Sequence, residues 1–227
     1  MIRLNMTVEG QTEQRFAETV LVPHLAQFQV YLNPPRFVSM KRRTTKNIPK
    51  GGLDKFANTL EDMRLWMKED KGYDARFTMM VDFYRLPEDF PGCDSAMKLN
   101  GPQRQVAALE QALADELGDK RFVPYLQLHE FEALLFTDLR QIGTTLNVEG
   151  EFDQLIKDCV GCGGPEMVNG GPTTHPYARI EGFVKQHPKP ELAQVAADIG
   201  LPALRVACPH FNSWLTTLEQ PGIAPIK

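Results

Sequence analysis

No apolar run in this chain of 227 residues approaches the length of a membrane span. The opening residues place Arg3 and Asn5 where a secretory leader would be apolar, so the expectation is a cytoplasmic protein with no membrane contact. Cysteine is scarce. Four cysteines at this length do not make a disulfide framework, which fits a reducing compartment. Positive charge is not in excess either: 25 Lys and Arg stand against 29 Asp and Glu, a formal net charge of -4. That balance excludes a generally basic nucleic-acid coat protein and leaves room for a local basic groove. Nucleotide hydrolysis lacks a P-loop, and serine-type catalysis lacks a Gly-x-Ser-x-Gly turn. Internal repeats and low-complexity tracts are also missing. What is present is an ordinary globular composition, 42% hydrophobic, enough for one large domain or a domain with an appendage.

The first ten residues set the pattern. Ile2, Leu4, Met6 and Val8 alternate with Arg3, Asn5 and Thr7, the period of a strand with one well-covered face, and the run stops on Glu9 and Gly10. A helix over about 12–28 follows, with Thr12 as its candidate N-cap and Pro23 set to kink or divide it. A second amphipathic helix is expected over Asp54 to Lys71, with Phe56, Leu60, Met63 and Met67 on one face. Arg76 to Asp82 is apolar on both faces, as in a buried parallel strand, and again stops on acid. A long helix from about Gly101 to Leu117 leads to a third apolar run, Phe122 to His129, which enters Glu130-Phe-Glu132.

Strand–helix alternation of this kind predicts an α/β fold with a mostly parallel sheet and right-handed crossovers. Residues 137–175 read as loop-rich. Helices are expected over Tyr177 to Gln186, Glu191 to Ile199 (with Gly200 as its C-cap) and Asn212 to Leu218. The division is an α/β domain over residues 1–140 and a loop-rich, helical C-terminal subdomain over 141–227 packed on it.

In a parallel sheet, Glu9, Asp82 and Glu130 or Glu132 gather along one edge, where open α/β sheets bind ligands. Such carboxylates repel, so protons or a divalent cation must offset them. An oxygen-only set on a partly open site favours Mg²⁺ or Mn²⁺ over zinc. His129 could orient a carboxylate or phosphate, or be a satisfied buried histidine. Cys159, Cys162, Cys208 and His210 are a weak structural-zinc match, with free thiols the favoured reading. Between Asn33 and Gly52, Arg36, Lys41, Arg42, Arg43, Lys46 and Lys50 occur with no acid among them, and a phosphate backbone is one natural partner.

Four segments, Val8-Glu-Gly-Gln-Thr-Glu13, Met80-Val-Asp-Phe-Tyr-Arg-Leu-Pro87, Leu128-His-Glu-Phe-Glu-Ala-Leu-Leu-Phe136 and Cys208-Pro-His-Phe-Asn-Ser-Trp-Leu215, carry a resemblance across nearly the whole chain. Together they resemble a bacterial domain-of-unknown-function family related to the TOPRIM fold of topoisomerases, primases and overcoming-lysogenization-defect nucleases. That resemblance implies a TOPRIM-like sheet, with Glu9 in the place of the TOPRIM glutamate and Asp82 in that of the first aspartate of its Asp-x-Asp motif. Tyr84 stands where the second aspartate would be, and Glu130 and Glu132 are the candidates to replace its charge. A Ser-Lys-Arg run seen in the family reads Tyr177-Ala-Arg179 here, leaving Arg179 to hold nucleic acid.

The activity implied is metal-dependent phosphodiester cleavage of DNA or RNA. Glu9 would be general base or metal ligand, and Asp82, Glu130 and Glu132 metal ligands. Tyr84 is expected to pack rather than act as a nucleophile. The resemblance also implies an ABC- or AAA-type ATPase partner in a phage-defence setting. The rival is a non-catalytic subunit that keeps the fold for protein or nucleic-acid contacts. A homodimer is one open assembly.

Overall fold

The structure, a computed structural model, describes residues 1–38, 55–168, 171 and 173–220. β1 (Ile2–Val8) leads through α1 (Gln11–Phe16), a π-helical turn (Ala17–Leu21) and α2 (Val22–Ala26) to β2 (Val30–Leu32) and β3 (Arg36–Phe37). The divided helix follows from Pro23. Proline has no N–H and its ring clashes with the preceding turn, and here the Val22 amide bonds Ala17 five residues back, so the register resets. The helix begins at Gln11, not after Thr12. Gly10 is the cap residue, and its amide donates to Glu13 Oε2 at 2.8 Å in a capping-box arrangement. Thr12 is buried instead.

α3 (Ala57–Glu69) is capped from a distance, since Asp89 accepts the amides of Phe56 and Ala57 at 2.8 and 3.1 Å. It is followed by β4 (Ala75–Asp82), α4 (Cys93–Ala96) and α5 (Pro102–Leu117). The third apolar run forms two short strands, β5 (Phe122–Val123) and β6 (Leu126–Gln127), with the break at Pro124, which cannot donate to a ladder. A 3₁₀ turn (Phe131–Thr137) then leads to α6 (Arg140–Leu146) and α7 (Asp153–Cys162), so the stretch read as loop carries two helices. Beyond lie α8 (Pro176–Val184), a 3₁₀ turn (Lys189–Glu191), α9 (Leu192–Ile199), α10 (Leu201–Ala207) and α11 (Pro209–Leu218). Gly200, at φ 85°, ends α9 as expected and also starts α10.

All strand pairs are parallel. The order is β2–β1–β4–β5, with β3 continuing the β2 side of β1 and β6 continuing the β5 side of β4. This is the α/β fold expected, with helices on both faces. On one face, Leu4, Met6 and Val8 of β1 and Met80 of β4 pack with Phe16 and Leu21 and with the helices from Leu139 to Leu218. On the other, Phe77, Met79 and Val81 of β4 meet Met63 and Trp66 of α3 and Val106, Leu109 and Leu113 of α5. The second face of β1 is covered too. Asn5 and Thr7 are buried, and Asn5 accepts from Asn33 Nδ2 at 2.8 Å and donates to Asp70 at 3.3 Å.

The C-terminal helices are fastened to the sheet by specific polar contacts. Trp214 Nε1 donates to Thr78 Oγ1 of β4 at 2.9 Å, and the indole stacks on Tyr125 at 4.3 Å between centroids. Each aromatic pair of this kind adds about 0.5–1.5 kcal/mol beyond its buried area. Glu166 accepts the amides of His210 and Phe211 at 3.0 and 2.9 Å, closing the N-terminus of α11 with a carboxylate. No helix among the described residues is long and apolar enough to cross a membrane.

Candidate metal centre

The parallel register puts Val8 beside Met80, so the residues that follow β1 and end β4 emerge together. Glu9 N–H donates to Met80 O at 3.2 Å, and the Asp82 amide donates to Glu9 Oε2 at 3.1 Å. On the other side of β4, β6 pairs Asp82 with Gln127. The chain then reverses at His129, a non-glycine residue at φ 66°, whose carbonyl accepts from Tyr84 N at 2.7 Å. That turn brings Glu130 and the 3₁₀ turn back over the strand ends. The Phe131 amide donates to Asp82 Oδ1 at 3.0 Å, and Glu132 lies in the first turn, nearly fully buried.

The outcome is convergence. One carboxylate oxygen from each of Asp82, Glu130 and Glu132 lies within 4.8 Å of the other two. Glu9 couples to all three electrostatically. Three of the four acids named from the sequence thus meet at ligand distance, and Glu9 stands beside them through its contact with the Asp82 amide. Glu13, not singled out there, joins them: it is buried at the start of α1 and feels Glu9 and Glu132.

The electrostatics are those of an under-neutralised site. Burial drives the Asp82 carboxyl well above the usual range, and Glu9, Glu13, Glu132 and Glu130 push it further. Burial also raises Glu9, with Glu130 and Glu132 adding to the rise against the Asp82 amide and Lys189. Glu13 is pushed up to about 7, chiefly by burial and then by Glu9 and Glu132. Glu132 rises through burial, with Lys189 opposing. For Glu9, Glu13, Asp82 and Glu132 burial is the leading cause, and the neighbouring carboxylates add to it.

Glu130 is held from behind. Its Oε2 meets His175 Nδ1 at 2.7 Å and accepts the Tyr177 amide at 3.1 Å. His175 stacks on Tyr84 with centroids 4.5 Å apart, so Tyr84 packs against the site, as expected of it. Lys189 Nζ lies 3.3 Å from Glu132 Oε1. His175 and Lys189 carry no local sequence signal and arrive only through tertiary packing. Glu13 was legible in principle as the third residue after a Gly10 cap.

His129 orients no carboxylate. It is 2% exposed, neither ring nitrogen has a partner at hydrogen-bond geometry, and burial pushes it down to about 4 despite the nearby Glu166 backbone. Arg36 lies on β3 with its guanidinium 3.9 Å over the Trp66 ring. Arg179 donates through Nε to Thr174 O at 2.6 Å and pairs with Asp158 at 3.5 Å. Lys41, Arg42, Arg43, Lys46 and Lys50 lie outside the described residues.

The zinc set does not form. His210 Nε2 is engaged by Glu110 and Leu126 O, while Cys159 and Cys208 are buried free thiols pushed up by burial to about 11 and about 12. Cys162 is exposed.

This chain belongs to the family described as Domain of unknown function (DUF4276), which it matches over residues 8–219. No curated protein and no solved structure matches it. Every member of the cluster, from Glu9 to Lys189, falls inside the DUF4276 span.

Proposed function

We propose that this chain is a Mg²⁺- or Mn²⁺-dependent nuclease. The observation that carries the reading is the meeting of Asp82, Glu130 and Glu132 oxygens at the carboxyl edge of the parallel sheet. The donor set fits a hard divalent cation: it is all carboxylate, and burial together with the neighbouring acids raises the proton affinity of Asp82 and Glu132, a cost that a bound cation would offset. When bound, such a cation supplies polarisation of a phosphoryl oxygen and a more acidic water. Asp82, Glu130 and Glu132 would hold it. Glu9, with Oε2 kept in place by the Asp82 amide and a proton affinity raised by burial, suits either a ligand or a general base.

The resemblance to TOPRIM-related nucleases supports the same reading, and with it a cytoplasmic effector subunit working with an ABC- or AAA-type ATPase in phage defence. Arg36 and the basic residues that follow it would grip the nucleic-acid backbone. A second reading, a non-catalytic binding subunit, is favoured by one observation. Tyr84, two residues after Asp82, stacks on His175 where a second aspartate would have served the cation.

Incubation of labelled single- and double-stranded DNA and RNA with the protein and Mn²⁺ separates the two. Cleavage by the wild type that disappears in Asp82→Asn and Glu132→Gln supports the nuclease. Strands left intact by a protein that binds Mn²⁺, with and without its ATPase, leave the binding subunit.

A further inference from the structure

Lys189 is the cation that meets the acid cluster among the described residues. Its side chain is 55% exposed, while the Glu132 carboxylate it reaches is 4% exposed. The ammonium lies 3.3 Å from Glu132 Oε1 and 4.2 Å from the Tyr177 ring centroid, so an anion and an aromatic face hold it together. Its charge also acts on Glu130 and Asp82. The backbone that presents it is stiff: Pro188 and Pro190 flank it, and the Lys189–Glu191 turn packs against α1. The stem is therefore free to swing from a fixed base, with open solvent on one side and a buried carboxylate on the other.

Resting on the metal-site reading above, we propose that Lys189 is a displaceable built-in counter-ion. It neutralises Glu132 in the metal-free protein and gives up that carboxylate when a divalent cation enters. One carboxylate oxygen cannot serve both partners at full strength, because cation and ammonium repel at this separation. The released ammonium stays tethered at the mouth of the site, beside Tyr177, where it meets an anionic substrate such as a phosphodiester. Metal entry and substrate charge recognition are thereby linked through one side chain.

The test is calorimetric titration of MnCl₂ into wild type and Lys189→Met, which keeps most of the stem and removes the charge. With the competing cation gone, Lys189→Met should bind Mn²⁺ about two- to fivefold tighter, the scale of one ion pair with a half-exposed partner. It should also melt lower without metal, with saturating Mn²⁺ closing that gap. Equal or weaker Mn²⁺ binding by the variant, next to a wild type that binds, overturns the counter-ion role and leaves the metal site standing. A wild type that binds no Mn²⁺ overturns both. If Lys189→Met does not fold, amine-reactive labelling of the wild type read by mass spectrometry decides instead. Lys189 should label several-fold faster with Mn²⁺ than without, and an unchanged rate rejects the proposal.

Discussion

The backbone amide of Asp82 donates to the side-chain oxygen Oε2 of Glu9 at 3.1 Å, tying the end of β4 to the residue after β1. The contact orients one acid by the peptide of another, so the two carboxylates are placed by the sheet itself. A charge held this way is useful to a cation and costly without one. The amide offsets only part of the burial that raises the proton affinity of Glu9.

Glu9→Gln keeps an oxygen acceptor for the Asp82 amide and removes the charge. Mn²⁺ affinity should fall about tenfold or more. The metal-free protein should become more stable by about 1 kcal/mol, because a repelling charge is lost at a functional site. For a chain of this size that is a rise in Tm of roughly 2–4 °C. Calorimetry with Mn²⁺ and thermal melts in EDTA measure both. A variant that binds Mn²⁺ like the wild type removes Glu9 from the site.

The pH dependence of the metal-free protein carries a definite sign. Glu13 sits at about 7 in the fold against an ordinary 4.5, so between those values the native state holds the proton more firmly than the unfolded chain. Stability from this group is full below 4.5 and is lost as pH rises through 7. Raised Glu9, Asp82 and Glu132 act in the same direction. His129 opposes them. Held near 4 against an ordinary 6.5, it makes stability rise with pH between 4 and 6.5. The clean window is therefore pH 6.5 to 8 in EDTA, where Tm should fall. His210 adds to that fall, since Glu110 keeps it above its ordinary value in spite of burial. The difference between wild type and Glu13→Gln isolates Glu13: the variant should lose less stability across the window, and identical slopes reject the assignment.

His175→Ala tests the support behind Glu130. The histidine shares Glu130 Oε2 with the Tyr177 amide, so its loss frees the carboxylate to rotate. Mn²⁺ affinity should weaken about tenfold, the usual cost of losing a group that orients a metal ligand. The stack on Tyr84 goes as well, for about 0.5–1.5 kcal/mol of stability. His175→Phe separates the two effects: the stack should return and the Mn²⁺ affinity should not.

The part of this site that was legible in the sequence lies where the signal is local. Glu9 and Asp82 each end a strand whose apolar pattern is readable over seven or eight residues, and parallel pairing does the rest. Glu130 and Glu132 follow the same logic, even though Pro124 splits their strand. The helices at Arg140–Leu146 and Leu201–Ala207 were not legible for different reasons: the second is only seven residues long, too short to show a period between Gly200 and Pro209. The first contains Gly143, Thr144 and Thr145, and burial of Ile142 and Leu146 decides its conformation. Lys189 and His175 reach the site from the far end of the chain, across dozens of residues that carry no pattern pointing back to Glu130 or Glu132. Periodicity reports which face of an element is buried and says nothing of which distant side chain will meet it.

Glu110 joins three elements at once, and its removal should show in global stability. Its Oε1 accepts the Leu126 amide at 2.7 Å and faces His210 Nε2 at 3.0 Å; Leu126 O, another acceptor, lies 3.2 Å from the same nitrogen. Two acceptors around Nε2 require that the proton sit there. Helix α5, strand β6 and helix α11 thus meet on one carboxylate, beside the Tyr125 ring that stacks on His210. Glu110→Ala strands a strand amide and a half-buried imidazole and should cost about 2–3 kcal/mol. Glu110→Gln keeps the oxygen acceptor, loses the charge, and should cost about 1 kcal/mol. Urea unfolding of the three proteins at pH 6.5 gives the comparison. The gap between wild type and Glu110→Gln should narrow as pH rises and His210 becomes neutral, because the charged part of the interaction then disappears from the wild type too. A Glu110→Ala protein within about 0.5 kcal/mol of wild type, the range of ordinary surface changes, would show that the carboxylate is not the joint between the C-terminal helix and the sheet.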